Sequence, residues 1–177
     1  MKVHGKIDKN KENEKMSNVC YFASNAKLGG KENPYMKYFS INEALSIGIN
    51  LDLGFLEGIN RDEPGVIAWC ENEDYFEFPT IWITEPYEAA PKSDKKYYAE
   101  MGGNPLMDIP GILNYIQSHM AENLEVEELE LWDVWIGQGK FEFVEKTCKL
   151  NELTVESLTE VFYEERPVDW KLTITRE

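Results

Sequence analysis

Two groups of carboxylates are the residues whose types and spacing can do chemistry in this chain. Glu71, Glu73, Asp74 and Glu77 lie in "CENEDYFEF", and Glu125, Glu127, Glu128, Glu130 and Asp133 lie in "LEVEELELWDVW". Paired carboxylates support general acid/base catalysis when their surroundings split their pKa values. Exposed in quantity, they instead make a negative field that draws in a basic partner.

Asp133 is the acid with a chemical question attached. In an extended "LELWDVWI", Leu129, Leu131, Asp133 and Trp135 share one face and Glu130, Trp132, Val134 and Ile136 the other, so the segment reads as a central strand. An unpaired carboxylate among apolar neighbours costs several kcal/mol, so Asp133 has to be protonated, hydrogen-bonded or paired. Backbone groups, or Lys140 across a hairpin turn at "GQG" (137–139), are the expected partners. The catalytic candidates are the Asp133 carboxylate, with His119 as its helper; the only other histidine is His4.

Other chemistries lack their residues. Cys20, Cys70 and Cys148 are odd in number and show no CxxC spacing, which fits neither a disulfide framework nor a zinc site. "ENED" lacks the D-x-D-x-D-G pattern of a calcium loop, and "GG" (29–30) and "MGGNP" (101–105) match neither phosphate-binding glycine motif. No G-x-S-x-G, H-E-x-x-H or kinase signature occurs. No metal and no cofactor are expected.

The formal net charge is −15. Between Arg61 and Lys140 the only basic residues are Lys92, Lys95 and Lys96, against seventeen acids from Asp62 to Asp133. Such a field repels phosphates and anionic lipid and attracts a basic protein. The expected binding residues are Glu71, Glu73, Asp74, Glu125, Glu127, Glu128, Glu130 and Trp132, an acidic face with an aromatic anchor.

These side chains need a scaffold. "VCYFA" (19–23), "YMKYF" (35–39), "VIAWC" (66–70), "TIWIT" (80–84), "ELELWDVWI" (128–136), "KFEF" (140–143) and "WKLTIT" (170–175) read as strands. "YFEF" (75–78) reads as the hairpin partner of "VIAWC" across "ENED", and Pro86 to Pro105 as one long connection with a helical turn at "DKKYYAEM". Ser40 with Glu43 predicts a capping box, Asp108 with Pro110 opens the clearest helix, and Thr154 opens another. The expected fold is α+β: a single domain, with a mainly antiparallel sheet of five to seven strands and two or three helices packed on it.

Residues 1–15 are polar, rich in Lys and Asn, and without periodicity, and strand-like sequence begins just after Met16. They are read as a flexible extension outside the domain at 16–177, with Met16 as a candidate native start: "KE" at 11–12 can be encoded by a ribosome-binding sequence of a bacterial gene. Without a membrane-length apolar run or a signal-peptide pattern, a cytoplasmic protein is expected. The function expected is an acidic bacterial interaction protein that binds, and in an immunity-like role inhibits, a basic partner. The alternatives are a small carboxylate-dependent hydrolase or ligand-binding enzyme, and a structural domain without a site.

Overall fold

A computed structural model describes residues 17–85, 93–136, 142–163 and 168–177. The main sheet contains β1 (Ser17–Ser24), β4 (Thr80–Thr84), β5 (Tyr97–Gly102), β6 (Glu128–Ile136), β7 (Glu142–Lys149) and β8 (Val168–Thr175), in the order β4-β5-β1-β6-β8-β7. A separate two-stranded sheet joins β2 (Met36–Phe39) to β3 (Ile67–Cys70). With the helices α1 (Ile41–Ser46), α2 (Ile109–Glu122) and α3 (Val155–Phe162), this is a single α+β domain.

All pairings in the main sheet are antiparallel except that of β7 with β8. The expected β6–β7 hairpin does not form: β8 lies between the two strands, and β7, α3 and β8 make a parallel crossover unit. Lys140 and the "GQG" turn lie outside the described residues. β6 is nonetheless central, flanked by β1 and β8. The helical turn expected at "DKKYYAEM" is instead β5, where Tyr98, Ala99 and Met101 are buried on alternating faces, so no polar stripe marks the strand.

α2 places Ile109, Ile112, Ile116 and Met120 on one face at helical spacing. That face and Leu158 of α3 pack on Phe22, Ala99, Met101, Leu129, Leu131, Leu172 and Ile174, forming the larger core. The opposite sheet face carries a smaller cluster of Tyr21, Ala23, Tyr98 and Trp132. Asp108 caps α2 by accepting from Gly111 N–H at 3.0 Å and is ion-paired with Lys31. The Ser40–Glu43 capping box of α1 is complete. No helix of the described residues is long and apolar enough to cross a membrane.

Candidate functional site

The acids of "CENEDYFEF" sit on a short 3-10 helix, Glu73–Glu77, rather than on a hairpin strand. Asn72 caps it by accepting from Asp74 N–H at 3.0 Å, acids fill its first turn, and Phe78–Pro79 lead it into β4. An Asn cap, acids behind it and a proline just past the end were the signals for this helix. Glu71, Glu73, Asp74 and Glu77 are all exposed. No ion pair among the described residues reaches any of the four.

Aromatic rings stand beside them. Tyr35 and Tyr75 stack with ring centroids 4.2 Å apart and planes 15° from parallel, and Tyr35 meets Phe78 edge-on at 5.0 Å. Asn33, buried at 5% exposure, holds the stack together: its amide donates to Tyr75 O at 2.7 Å and its side-chain oxygen accepts from Tyr35 N–H at 2.9 Å. A cleft of about 340 Å³ opens there, lined by Pro34, Tyr35, Lys37, Cys70, Glu71, Asn72 and Tyr75. Glu71 was visible in the sequence, but Asn33, Tyr35, Lys37 and Tyr75 were not: the expected strands "YMKYF" and "YFEF" absorbed Tyr35, Lys37 and Tyr75, whereas Tyr35 precedes β2 and Tyr75 lies on the 3-10 helix.

The second acidic group divides. Glu125 and Glu127 are exposed in the α2–β6 connection. Glu128 is ion-paired with the buried Lys95. Burial alone would lower the Lys95 pKa, but the hydrogen bond and charge of Glu128, with Glu130 and Asp94, raise it above its ordinary value. Glu130 is buried and accepts from Ser93 Oγ at 2.6 Å and Trp132 Nε1 at 2.9 Å. Trp132, proposed as an exposed anchor, is itself 4% exposed, stacked on Tyr21 at 5.9 Å with Lys171 Nζ over its ring. Glu130 and Trp132 are therefore parts of the smaller core. Beside them the Tyr21 hydroxyl has no hydrogen-bond partner among the described residues, and burial, then Tyr98 and Glu130, push its pKa far up.

No protein-family model matches the chain, and neither a curated protein nor a solved structure matches it. Function has to be read from the side chains themselves.

The two acidic groups do not share one face. The 3-10 helix feeds β4 at Thr80, which pairs with Gly102, and the register runs on through Met101 and Cys20 to Asp133. Glu128 pairs with Thr175 at the other end of β6, about 17 Å from Asp133 along the strand at about 3.3 Å per residue.

The same register separates the catalytic candidates. Asp133 is half-buried, directly opposite Cys20 and Trp170, and is not without a partner. It faces the Cys20 thiol, whose pKa is pushed up first by burial and then by the Asp133 and Glu100 charges. His119 is bonded to Ser24, four residues along β1 from Cys20 and so about 13 Å away. Asp133 and His119 therefore do not form a dyad. No group of three or more His, Cys, Asp or Glu among the described residues is arranged to hold a metal ion.

Proposed function

We propose that this protein is an acidic interaction module that binds a basic protein partner through the lobe formed by β2, β3 and the Glu73–Glu77 helix. In its most concrete form it is an immunity-type inhibitor working in the bacterial cytoplasm. The observation that carries the reading is the disposition of Glu71, Glu73, Asp74 and Glu77, exposed beside the stacked Tyr35 and Tyr75 and unpaired with any described cation.

Several acids elsewhere have structural employment: Asp108 caps α2, Glu43 closes a capping box, and Glu128 neutralises Lys95. The lobe acids repel one another in a chain that already carries −15, and no ion pair among the described residues offsets that repulsion. A basic surface docking there relieves that repulsion, and the long-range field speeds its approach. The tyrosines supply the short-range contact area that charge alone lacks.

The test is association with the basic product of a neighbouring reading frame, followed by surface plasmon resonance across a salt series. Neutralising the lobe (Glu71→Gln, Glu73→Gln, Asp74→Asn, Glu77→Gln) is expected to slow association by about tenfold or more, within the range that electrostatic steering commands. Glu125→Gln with Glu127→Gln should leave the rate nearly unchanged. Absence of any basic partner at low ionic strength sinks the reading.

A further inference from the structure

We propose that the cleft between Pro34 and Tyr75 is a socket for an arginine side chain, a reading that rests on the basic-partner function above and adds the residue type recognised. At about 340 Å³ the cleft lies near the lower end of the roughly 300–1,000 Å³ typical of small-ligand sites, a size suited to one long side chain.

The cleft and its surroundings match a guanidinium on four counts. The stacked Tyr35 and Tyr75 rings, 42% and 37% exposed, offer a flat π surface. Arginine stacks its planar, weakly hydrated head on such a surface, whereas the compact ammonium of lysine holds its water more tightly. Glu71 supplies a carboxylate in the same lining, and a carboxylate accepts the two parallel N–H groups of a guanidinium. Glu73, Asp74 and Glu77 extend the negative charge along the adjoining helix. The two Asn33 hydrogen bonds hold the tyrosines in place before any ligand arrives, which lowers the ordering cost of binding.

Lys37 is the one cation in the lining. Its Nζ lies over the Trp69 ring, 5.6 Å from the centroid, and no ion pair joins it to Glu71. Glu71 is thus open to an incoming cation, while Lys37 opposes that cation by like charge. Removing the Lys37 charge should tighten arginine binding, a result that a cleft for an anion or a neutral ligand would reverse or lack.

The experiment is calorimetric titration of the full-length chain, at low ionic strength, with two peptides of equal length and charge, one alternating Gly and Arg and the other Gly and Lys. The arginine peptide is expected to bind about tenfold more tightly, the scale of a desolvated cation–π contact. Glu71→Gln should erase most of that preference, and Lys37→Met should enlarge it. Glu71 is exposed and makes no ion pair among the described residues, so its substitution is expected to leave folding intact. Equal affinity for the two peptides, an unchanged preference in Glu71→Gln, or weaker binding by Lys37→Met overturns the socket. In each of these cases salt-sensitive association of the basic protein partner with the lobe would still stand, and its independent loss would remove the functional reading instead.

Discussion

Ser24 Oγ lies 2.8 Å from His119 Nε2, with both residues buried, joining β1 to α2. The hydrogen-bond network assigns the proton. Asn123 Nδ2 donates to His119 O at 2.8 Å, which orients the amide, and the same nitrogen faces His119 Nδ1 at 3.4 Å. Nδ1 is then the acceptor, and Nε2 carries the hydrogen toward Ser24 Oγ, which also accepts from Ala26 N–H at 3.2 Å. With Ser24 fully buried and its hydroxyl bonded to both His119 and Ala26, the pair acts as a tether between strand and helix.

The tether makes stability depend on pH. Burial lowers the His119 pKa below its ordinary value of about 6.5, with Glu122 and Glu125 opposing in part. In the unfolded chain the imidazole regains its ordinary pKa, so just below pH 6.5 the unfolded state binds the proton that the folded state refuses. This contribution to stability is complete above about pH 6.5 and is lost as the pH falls through the folded value. Urea midpoints between about pH 5 and pH 7 should therefore decline on acidification, and less so in His119→Gln. Identical slopes in the two proteins would show that burial does not lower the His119 pKa in the folded protein.

Arg176 closes the other end of α2. Its Nη2 donates to Met120 O at 2.6 Å, Asn123 O at 2.9 Å and Val126 O at 3.0 Å, and its Nε to Val126 O at 3.1 Å. The Met120 and Asn123 carbonyls lie where the helix runs out of its own donors, Val126 follows in the connection to β6, and a cation there also complements the helix dipole. Arg176→Ala is expected to cost about 1.5–3 kcal/mol, the range for hydrogen bonds to a charged group. Arg176→Lys should recover only part of this, because the ammonium lacks the second donor nitrogen, Nε, and the planar fork that the guanidinium presents to these carbonyls. Chemical denaturation measures both, and full rescue by lysine would show that charge alone matters.

Glu130 and Glu127 should respond oppositely although the sequence places them in one acidic run. Glu130→Ala strands the Trp132 indole N–H inside the smaller core, at a cost of about 1–3 kcal/mol for a buried group left unsatisfied, and removes the acceptor of the half-buried Ser93 hydroxyl. Glu127→Gln, at an exposed position, should change stability by no more than about 0.5 kcal/mol and in the favourable direction, given the net charge of −15. Equal losses in the two variants would contradict the division of the acidic run into core and surface.

That division shows where the sequence was legible. Period and caps found α2, β6 and β8, because Ile112, Ile116 and Met120, or Trp170, Leu172 and Ile174, point to one core at the spacing of their element. Glu130 was misjudged because alternation assigns it to a face without telling whether that face is covered, and here the face holds a second core. The place of β7 was lost to a plausible hairpin turn, although a strand, a capped helix and a strand in succession is also the pattern of a parallel crossover. The cleft depends on Asn33 meeting Tyr75 across 42 residues, a contact that no local pattern encodes.

Gly103 carries the last prediction, since it fixes the acidic helix against the sheet. Its φ is +83°, and a Cβ added there would lie 2.6 Å from Glu77 O and 2.9 Å from Phe78 O, backbone atoms that cannot swing aside. At this seam Asn104 N–H donates to Glu77 O at 2.6 Å. Gly58 makes the control: its φ is +85°, but an added Cβ would meet nothing within 4 Å. Gly58→Ala should therefore cost only the left-handed backbone penalty of about 1–2 kcal/mol. Gly103→Ala should cost clearly more, and should weaken partner binding even in the fraction that folds, because the displaced seam moves Glu73, Asp74 and Tyr75 relative to the sheet. Urea denaturation gives the first comparison and binding by folded protein the second. Equal stability losses, with unchanged affinity in Gly103→Ala, would mean that the seam does not position the site.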